Sequence, residues 1–379
     1  MKTGGRMPFQ IIRNDITKVA SNAIVNTANP KPVIGGGTDS AIYKAAGEKQ
    51  LLAERKKIGD IAPGNAVSTP AFALNAKYII HTVGPAWIDG SHGEREVLHS
   101  CYANSLTLAG ELSCESIAFP LIATGTYGFP KAEALDIALK EIGKFLLTHE
   151  MNVILVVFDK KALELSEKLV GEIDKYIDEN AIGLLREEEY KGHPSNQFRR
   201  RRIQTDKFFS ESLDLLEDKY AAPDEMIFTE KICCAPSSPK SEPLSGGFMG
   251  VFGQTEKKSL DEVLQKEEDT FQQRLFRLIN ERGLDDVTVY KRANGNRKNF
   301  SKIRCNVDYH PKKITAIAYA VALKLDMPEL LDLISRAGYT LSPTSKFDLI
   351  ISYFVKSRNY DIFEINAALF EYEQPLLSS

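Results

Sequence analysis

Cysteine is scarce and patternless in this chain: Cys101, Cys114, Cys233, Cys234 and Cys305 are scattered over 379 residues with no C-x-x-C pair. That argues against a disulfide framework and against a cysteine-based zinc site, and it makes a reducing cytoplasm the expected compartment. No apolar run reaches the roughly 18 residues needed to span a bilayer, and no charged-then-apolar leader opens the chain, so no membrane segment is expected. Neither sign of charge prevails. With 48 Lys and Arg against 51 Asp and Glu, the net charge of -3 dictates no partner for the whole chain. What remains is 43% hydrophobic and 26% charged, with a mean hydropathy of -0.23. That is the composition of a soluble globular protein with material for real cores, and its length predicts two domains.

The most informative stretch is Asn22 to Gly47, NAIVNTANPKPVIGGGTDSAIYKAAG. Ala23-Ile24-Val25 is a short apolar run that fits a buried parallel strand, and Thr38 to Ala46 reads as a helix with Thr or Asp as its candidate cap. The loop between them carries Asn29, two prolines and the triplet Gly35-Gly36-Gly37. At the end of a strand and the start of a helix, free N–H groups and the helix dipole favour an anion. Glycines there let the main chain approach a ligand without a Cβ in the way. Asp39 follows at once. It serves either as an ordinary dipole partner or, beside a phosphate, as a group that orients or deprotonates a water.

Around this stretch the pattern alternates strands and helices. Strands are expected at Met7 to Ile12, Gly64 to Thr69, Tyr78 to Val83, Ser116 to Pro120 and Val153 to Phe158; helices are expected at Gln50 to Lys57, Glu94 to Leu112, Lys131 to Thr148 and Ala162 to Asp178. His81, at the end of an apolar run, reads as a structural histidine. A second glycine loop, Ala123-Thr124-Gly125-Thr126-Tyr127-Gly128-Phe129-Pro130, again lies between a strand and a helix. Two such loops in one α/β sheet fall on a single rim, because ligands bind at the carboxyl ends of parallel strands.

Taken in order, Asn14-Asp15-Ile16-Thr17, Val25-Asn26-Thr27-Ala28-Asn29, Gly35-Gly36-Gly37-Thr38-Asp39, Tyr78 through Pro85 and Thr124 through Pro130 resemble the macro domain, the ADP-ribose-binding module, over about Met7 to Asn180. The resemblance implies a three-layer α/β/α sandwich with a mixed, mostly parallel central sheet over residues 7–183. It implies ADP-ribose as the ligand, with no metal and no further cofactor. Asp15 would bond the adenine amino group with Ile16 beside it, and Phe158 would pack on the adenine ring. Gly35, Gly36, Gly37 and Thr38 with Thr124, Gly125, Thr126, Tyr127 and Gly128 would grip the diphosphate, and Asn29 would hold the distal ribose. Gly-Gly-Gly-Thr-Asp resembles the MacroD-type hydrolases, in which the aspartate is catalytic, so Asn29 and Asp39 are the expected catalytic pair in removal of ADP-ribose from a macromolecule or of an acyl group from ADP-ribose. Cleavage at the anomeric carbon passes through an oxocarbenium-like state. Tyr43 departs from that pattern, which has a histidine there; an ordinary tyrosine pKa near 10 ill suits it to ionise in the histidine's place. Macro domains also include readers that bind without cleaving.

Residues 184–259 read as a largely disordered linker, with Glu187 to Glu189, the run Phe198 to Arg202 and Ser/Pro/Gly clusters. From residue 260 to 379 the pattern is helical throughout. Val287 to Leu325 resembles the helix-turn-helix of Cro and repressor-type proteins, with Asn294-Gly295-Asn296 as the turn and Arg297 to Arg304 as the recognition helix. Arg297, Lys298, Lys302 and Arg304 are its candidate nucleic-acid contacts, and a protein-interaction bundle is the competing reading.

Overall fold

The computed structural model describes residues 7–158, 165–190 and 269–378. Most of the expected linker, including Phe198 to Arg202, lies outside the described residues. Among the described residues, no helix is long and apolar enough to cross a membrane.

Six strands, β1 (Phe9–Arg13), β2 (Ala23–Thr27), β3 (Ala66–Pro70), β4 (Tyr78–Thr82), β5 (Ser116–Pro120) and β6 (Asn152–Val157), form one sheet in the order β1-β6-β5-β2-β4-β3. Only β3 runs antiparallel to its neighbour. Alternation of side chains across the pleat sets the layers. Ala23 and Val25 of β2 and Ile117 and Phe119 of β5 share a core with α3 (Glu94–Glu111) and α4 (Lys131–Thr148). Ile24 and Ala118 face the other way and pack with Ile42 and Tyr43 of α1 (Thr38–Ala46) and Leu51 of α2 (Glu48–Ile58). The fold is therefore the expected sandwich with a mixed, mostly parallel sheet. A further helix, α5 (Glu167–Tyr190), runs past its expected end at Asp178.

Among the described residues from 269 on there are seven helices: α6 (Phe271–Glu281), α7 (Asp286–Arg292), α8 (Arg297–Cys305), α9 (Lys313–Ala322), α10 (Met327–Ser335), α11 (Lys346–Lys356) and α12 (Ile362–Glu371). All but one of their starts carry a side-chain cap, the exception being α9 after Lys312. Asp285, Asn296 and Ser345 each accept an N–H of the first turn, and Thr270 with Gln273 and Asp326 with Glu329 form reciprocal capping boxes. These helices share the core of the α3/α4 face. The Phe363 ring meets Phe9 edge-on at 5.3 Å and lies against Gly143, where α4 offers no side chain to hold it off. Asn294, in the expected turn, is buried. Its amide accepts from Phe9 N (2.9 Å) and donates to Phe9 O (3.0 Å), completing the main-chain pairing of edge strand β1 as another strand would.

Candidate functional site

The two glycine loops leave adjacent parallel strands, β2 and β5, at their carboxyl ends, the rim where open α/β sheets bind ligands. Between them lies a cavity of about 370 Å³ lined by residues of both loops. Gly37 caps α1 with φ 60 and ψ -127, a conformation that only glycine adopts without strain. The expected Thr or Asp cap is absent, because the helix already begins at Thr38 and no side chain bonds its first turn. The amino end of α4, at Pro130, also lacks a side-chain cap. Two helix starts thus leave main-chain N–H groups for an anion. The second loop closes on itself through Gly128 N to Gly125 O (2.9 Å) and Phe129 N to Ala123 O (3.0 Å). It is braced from outside by Trp87, whose N–H donates to Tyr127 O (2.8 Å) and whose ring meets Phe129 at 4.7 Å.

Of the residues singled out in the sequence, Asn29, Gly35, Gly36, Gly37, Thr38, Asp39, Thr124, Gly125, Thr126 and Tyr127 line this cavity, whereas Gly128 shapes its loop from behind. Asp15, Ile16 and Phe158 stand outside the lining, at the ends of the neighbouring strands β1 and β6, which Asn14 N ties together through Val157 O (3.0 Å). Phe158 is 75% exposed, a bare ring at the rim. Thr17 donates its N–H and hydroxyl to Asp15, which holds that carboxyl below its ordinary range. The Ile16 side chain is in the core, so only its main chain faces the rim.

Asp39 is 2% exposed. Its Oδ2 accepts from Gly35 N (2.5 Å) and its Oδ1 from Asn26 Nδ2 (2.6 Å). Burial raises its pKa, outweighing the opposing hydrogen bonds and the nearby Arg55. Asn26 also donates to His81 Nδ1 (3.1 Å), and His81 Nε2 meets Thr69 Oγ1 at 3.0 Å. Burial, with Arg55 adding to it, drives His81 down to about 3, so the ring is neutral at ordinary pH. Tyr43 is buried and pushed up to about 12, chiefly by burial and then by Asp39, and it stays neutral as well.

Arg55, within the helix expected at Gln50 to Lys57, is buried. Its guanidinium donates to the carbonyls of Asn29 (3.3 Å), Pro30 (3.2 Å) and Gly59, fixing the loop that carries Asn29. Lys131, at the start of α4, is a cation in the lining that sequence reasoning also passed over. Position in a helix's first turn after the second glycine loop was the available signal for Lys131; for Arg55 none existed. Among the described residues one trio, Asp89, His92 and Glu94, gathers metal-ligating atoms within 4.8 Å. Glu94, however, accepts main-chain N–H groups of Ile88, Gly90 and His92, which is the work of a loop-closing cap.

In the helical region, Arg297, Lys298 and Lys302 are exposed on α8. Arg304 is engaged elsewhere, paired with Asp286 and set over the Phe276 ring at 4.5 Å.

Comparison with known proteins bears on the α/β part. The family model of the Macro domain matches residues 25–138. An O-acetyl-ADP-ribose deacetylase of Citrobacter rodentium is 44% identical over 167 residues, covering 43% of this chain and 94% of that protein. A protein of the same description from Escherichia coli strain K12 is 43% identical over the same length and shares. A solved Oceanobacillus iheyensis macrodomain with ADP is 39% identical, covering 40% of this chain and 84% of that one, with a TM-score of 0.39.

Proposed function

The chain belongs to the macro domain family, and from that premise we propose that it hydrolyses ADP-ribose esters, with O-acetyl-ADP-ribose as its first substrate class and ADP-ribosylated acidic side chains as its second. The observation that carries this reading is the convergence of two main-chain anion cradles with an enclosed carboxylate and an amide in one cavity. The diphosphate lies against the N–H groups of the two loops, with Lys131 supplying positive charge. The adenine end runs along the rim toward Asp15 and Phe158, and the distal ribose reaches Asn29 and Asp39.

Asp39 accepts one hydrogen bond on each oxygen, and a carboxylate oxygen has a second lone pair for a water proton. Its raised pKa brings it closer to the range in which a general base both holds and releases a proton effectively. Water activated there attacks the ester, and Asn29 keeps the sugar from turning away. Purified protein incubated with O-acetyl-ADP-ribose should release acetate and ADP-ribose, and with a glutamate-linked ADP-ribosyl peptide it should release ADP-ribose. Binding of ADP-ribose with neither release would leave a reader in place of an enzyme. That reading draws on the enclosure of Asp39 and on Tyr43, which does not ionise at ordinary pH.

The helical region supports a second contact. Helix α8 carries Arg297, Lys298, Lys302 and Arg304 with no acid, all four exposed, with Arg304 paired to Asp286. We assign this face to a nucleic-acid backbone, in the helix-turn-helix arrangement of α7, a short turn and α8. Absence of any retardation of random duplex DNA at low salt would remove this assignment.

A further inference from the structure

From Asp39 in the cavity wall, a chain of buried side chains runs back through Asn26 and His81 to Thr69, none of which lines the cavity. Each link constrains the next. Asn26 has two N–H bonds and gives one to Asp39 Oδ1 (2.6 Å) and the other to His81 Nδ1 (3.1 Å). His81 Nδ1 must then be the acceptor nitrogen, which leaves the ring proton on Nε2, where Thr69 Oγ1 receives it at 3.0 Å. The cost shows in Asn26 Oδ1, which is buried and has no partner among the described residues. Turning the amide over would set that oxygen 2.6 Å from Asp39 Oδ1, oxygen against carboxylate oxygen, whichever tautomer His81 adopted. The arrangement leaving one carbonyl unsatisfied is therefore the one that gives Asp39 a donor.

We propose that Asn26, oriented by neutral His81, is a positioning residue that holds Asp39 in its ionised, catalytically aimed state. This inference rests on the reading of Asp39 as the base. His81 contributes here as an acceptor and never as an acid. Asn26 fixes one oxygen of Asp39 while Gly35 N fixes the other, so both the rotation of the carboxylate and the position of the first glycine follow from the same buried amide. The charged and titratable groups around Asp39 are Arg55 of α2, Tyr43 of α1 and His81 of β4. Arg55 favours the ionised form, while Tyr43 and His81 remain neutral.

The test combines kinetics with direct titration of Asp39 in full-length protein labelled with carboxyl-13C aspartate, its resonance assigned by loss in Asp39→Asn. In Asn26→Ala, the Asp39 titration and the acid limb of the pH–rate profile should both move to higher pH. Turnover of O-acetyl-ADP-ribose should fall about tenfold or more, the effect of removing a donor to a charged group, with KM little changed. His81→Leu, which removes the acceptor that orients Asn26, should move the same limb in the same direction. His81→Gln, with an amide oxygen for Asn26 and an N–H for Thr69, should restore it. Unmoved Asp39 titration in folded Asn26→Ala, or in His81→Leu should the first variant not fold, would overturn the proposal. Full turnover by Asp39→Asn would instead refute Asp39 as the base, while a shifted titration would still show Asn26 acting on it.

Discussion

The substitution Gly35→Ala separates the geometry of the site from the stability of the fold. An added Cβ would lie 2.6 Å from Asn29 Nδ2, 3.6 Å from Asn29 Cγ and 3.2 Å from Asp39 Oδ2. The first contact is impossible to keep. Because it is with the free end of a side chain, Asn29 swings away, giving up its 3.2 Å hydrogen bond to Val33 O, while Asp39 yields a few tenths of an ångström. The lost exposed hydrogen bond costs about 0.5–1.5 kcal/mol, and the stiffer unfolded chain returns about 0.4–1 kcal/mol, so stability should change by less than about 1 kcal/mol. On the proposed placement of the ribose, its hydroxyl would lose its amide partner inside the cavity, which would cost about 1–3 kcal/mol, or roughly 5- to 150-fold in kcat/KM. Urea unfolding measures the first quantity and acetate release from O-acetyl-ADP-ribose the second. Asn29→Ala should reproduce the loss of activity, and the double variant should lose little more, since both remove one interaction. Additive losses, or a Gly35→Ala enzyme as active as the parent, would refute the placement of Asn29.

Asn294→Ala should destabilise the chain by on the order of 3 kcal/mol in chemical unfolding, because it strips Phe9 of two main-chain partners and places alanine at a left-handed φ of 49; Asn294→Gly, free of the backbone strain, should lose less. His81 is held at about 3 against an ordinary 6.5. Its folded value is thus depressed, and the stability it contributes is fully present above pH 6.5 and declines by about 1.4 kcal/mol per pH unit as pH falls from there toward 3; His81→Gln should flatten that part of the stability profile. Tyr43→Phe should leave the pH–rate profile unchanged up to pH 10, because a phenol pushed up to about 12 has no part in it; a lost alkaline limb would show that Tyr43 ionises during turnover.

The sheet and its rim were legible in the sequence because parallel strands are short apolar runs and both glycine loops sit where such runs give way to helices. Long-range burial of polar groups was not legible. Arg55 lies among Glu54, Lys56 and Lys57, and nothing in that spacing shows that one of four charged neighbours turns inward to hold the carbonyls of Asn29 and Pro30. Asn294 read as a turn residue because Asn-Gly-Asn favours turns, and the turn is there. What the pattern could not contain is the edge of β1, 285 residues earlier in the chain, against which its amide is pressed.

The central claim is that Gly35 to Gly37 and Thr124 to Gly128 close on one diphosphate. Titration of ADP-ribose into 15N-labelled full-length protein, followed through the main-chain amide resonances, tests it most directly. Both sets of amides should shift together and saturate at one ligand per chain, with Asn29 and Phe158 following and α8 unmoved. Shifts confined to one loop, or saturation of the two loops at different ligand concentrations, would contradict the account.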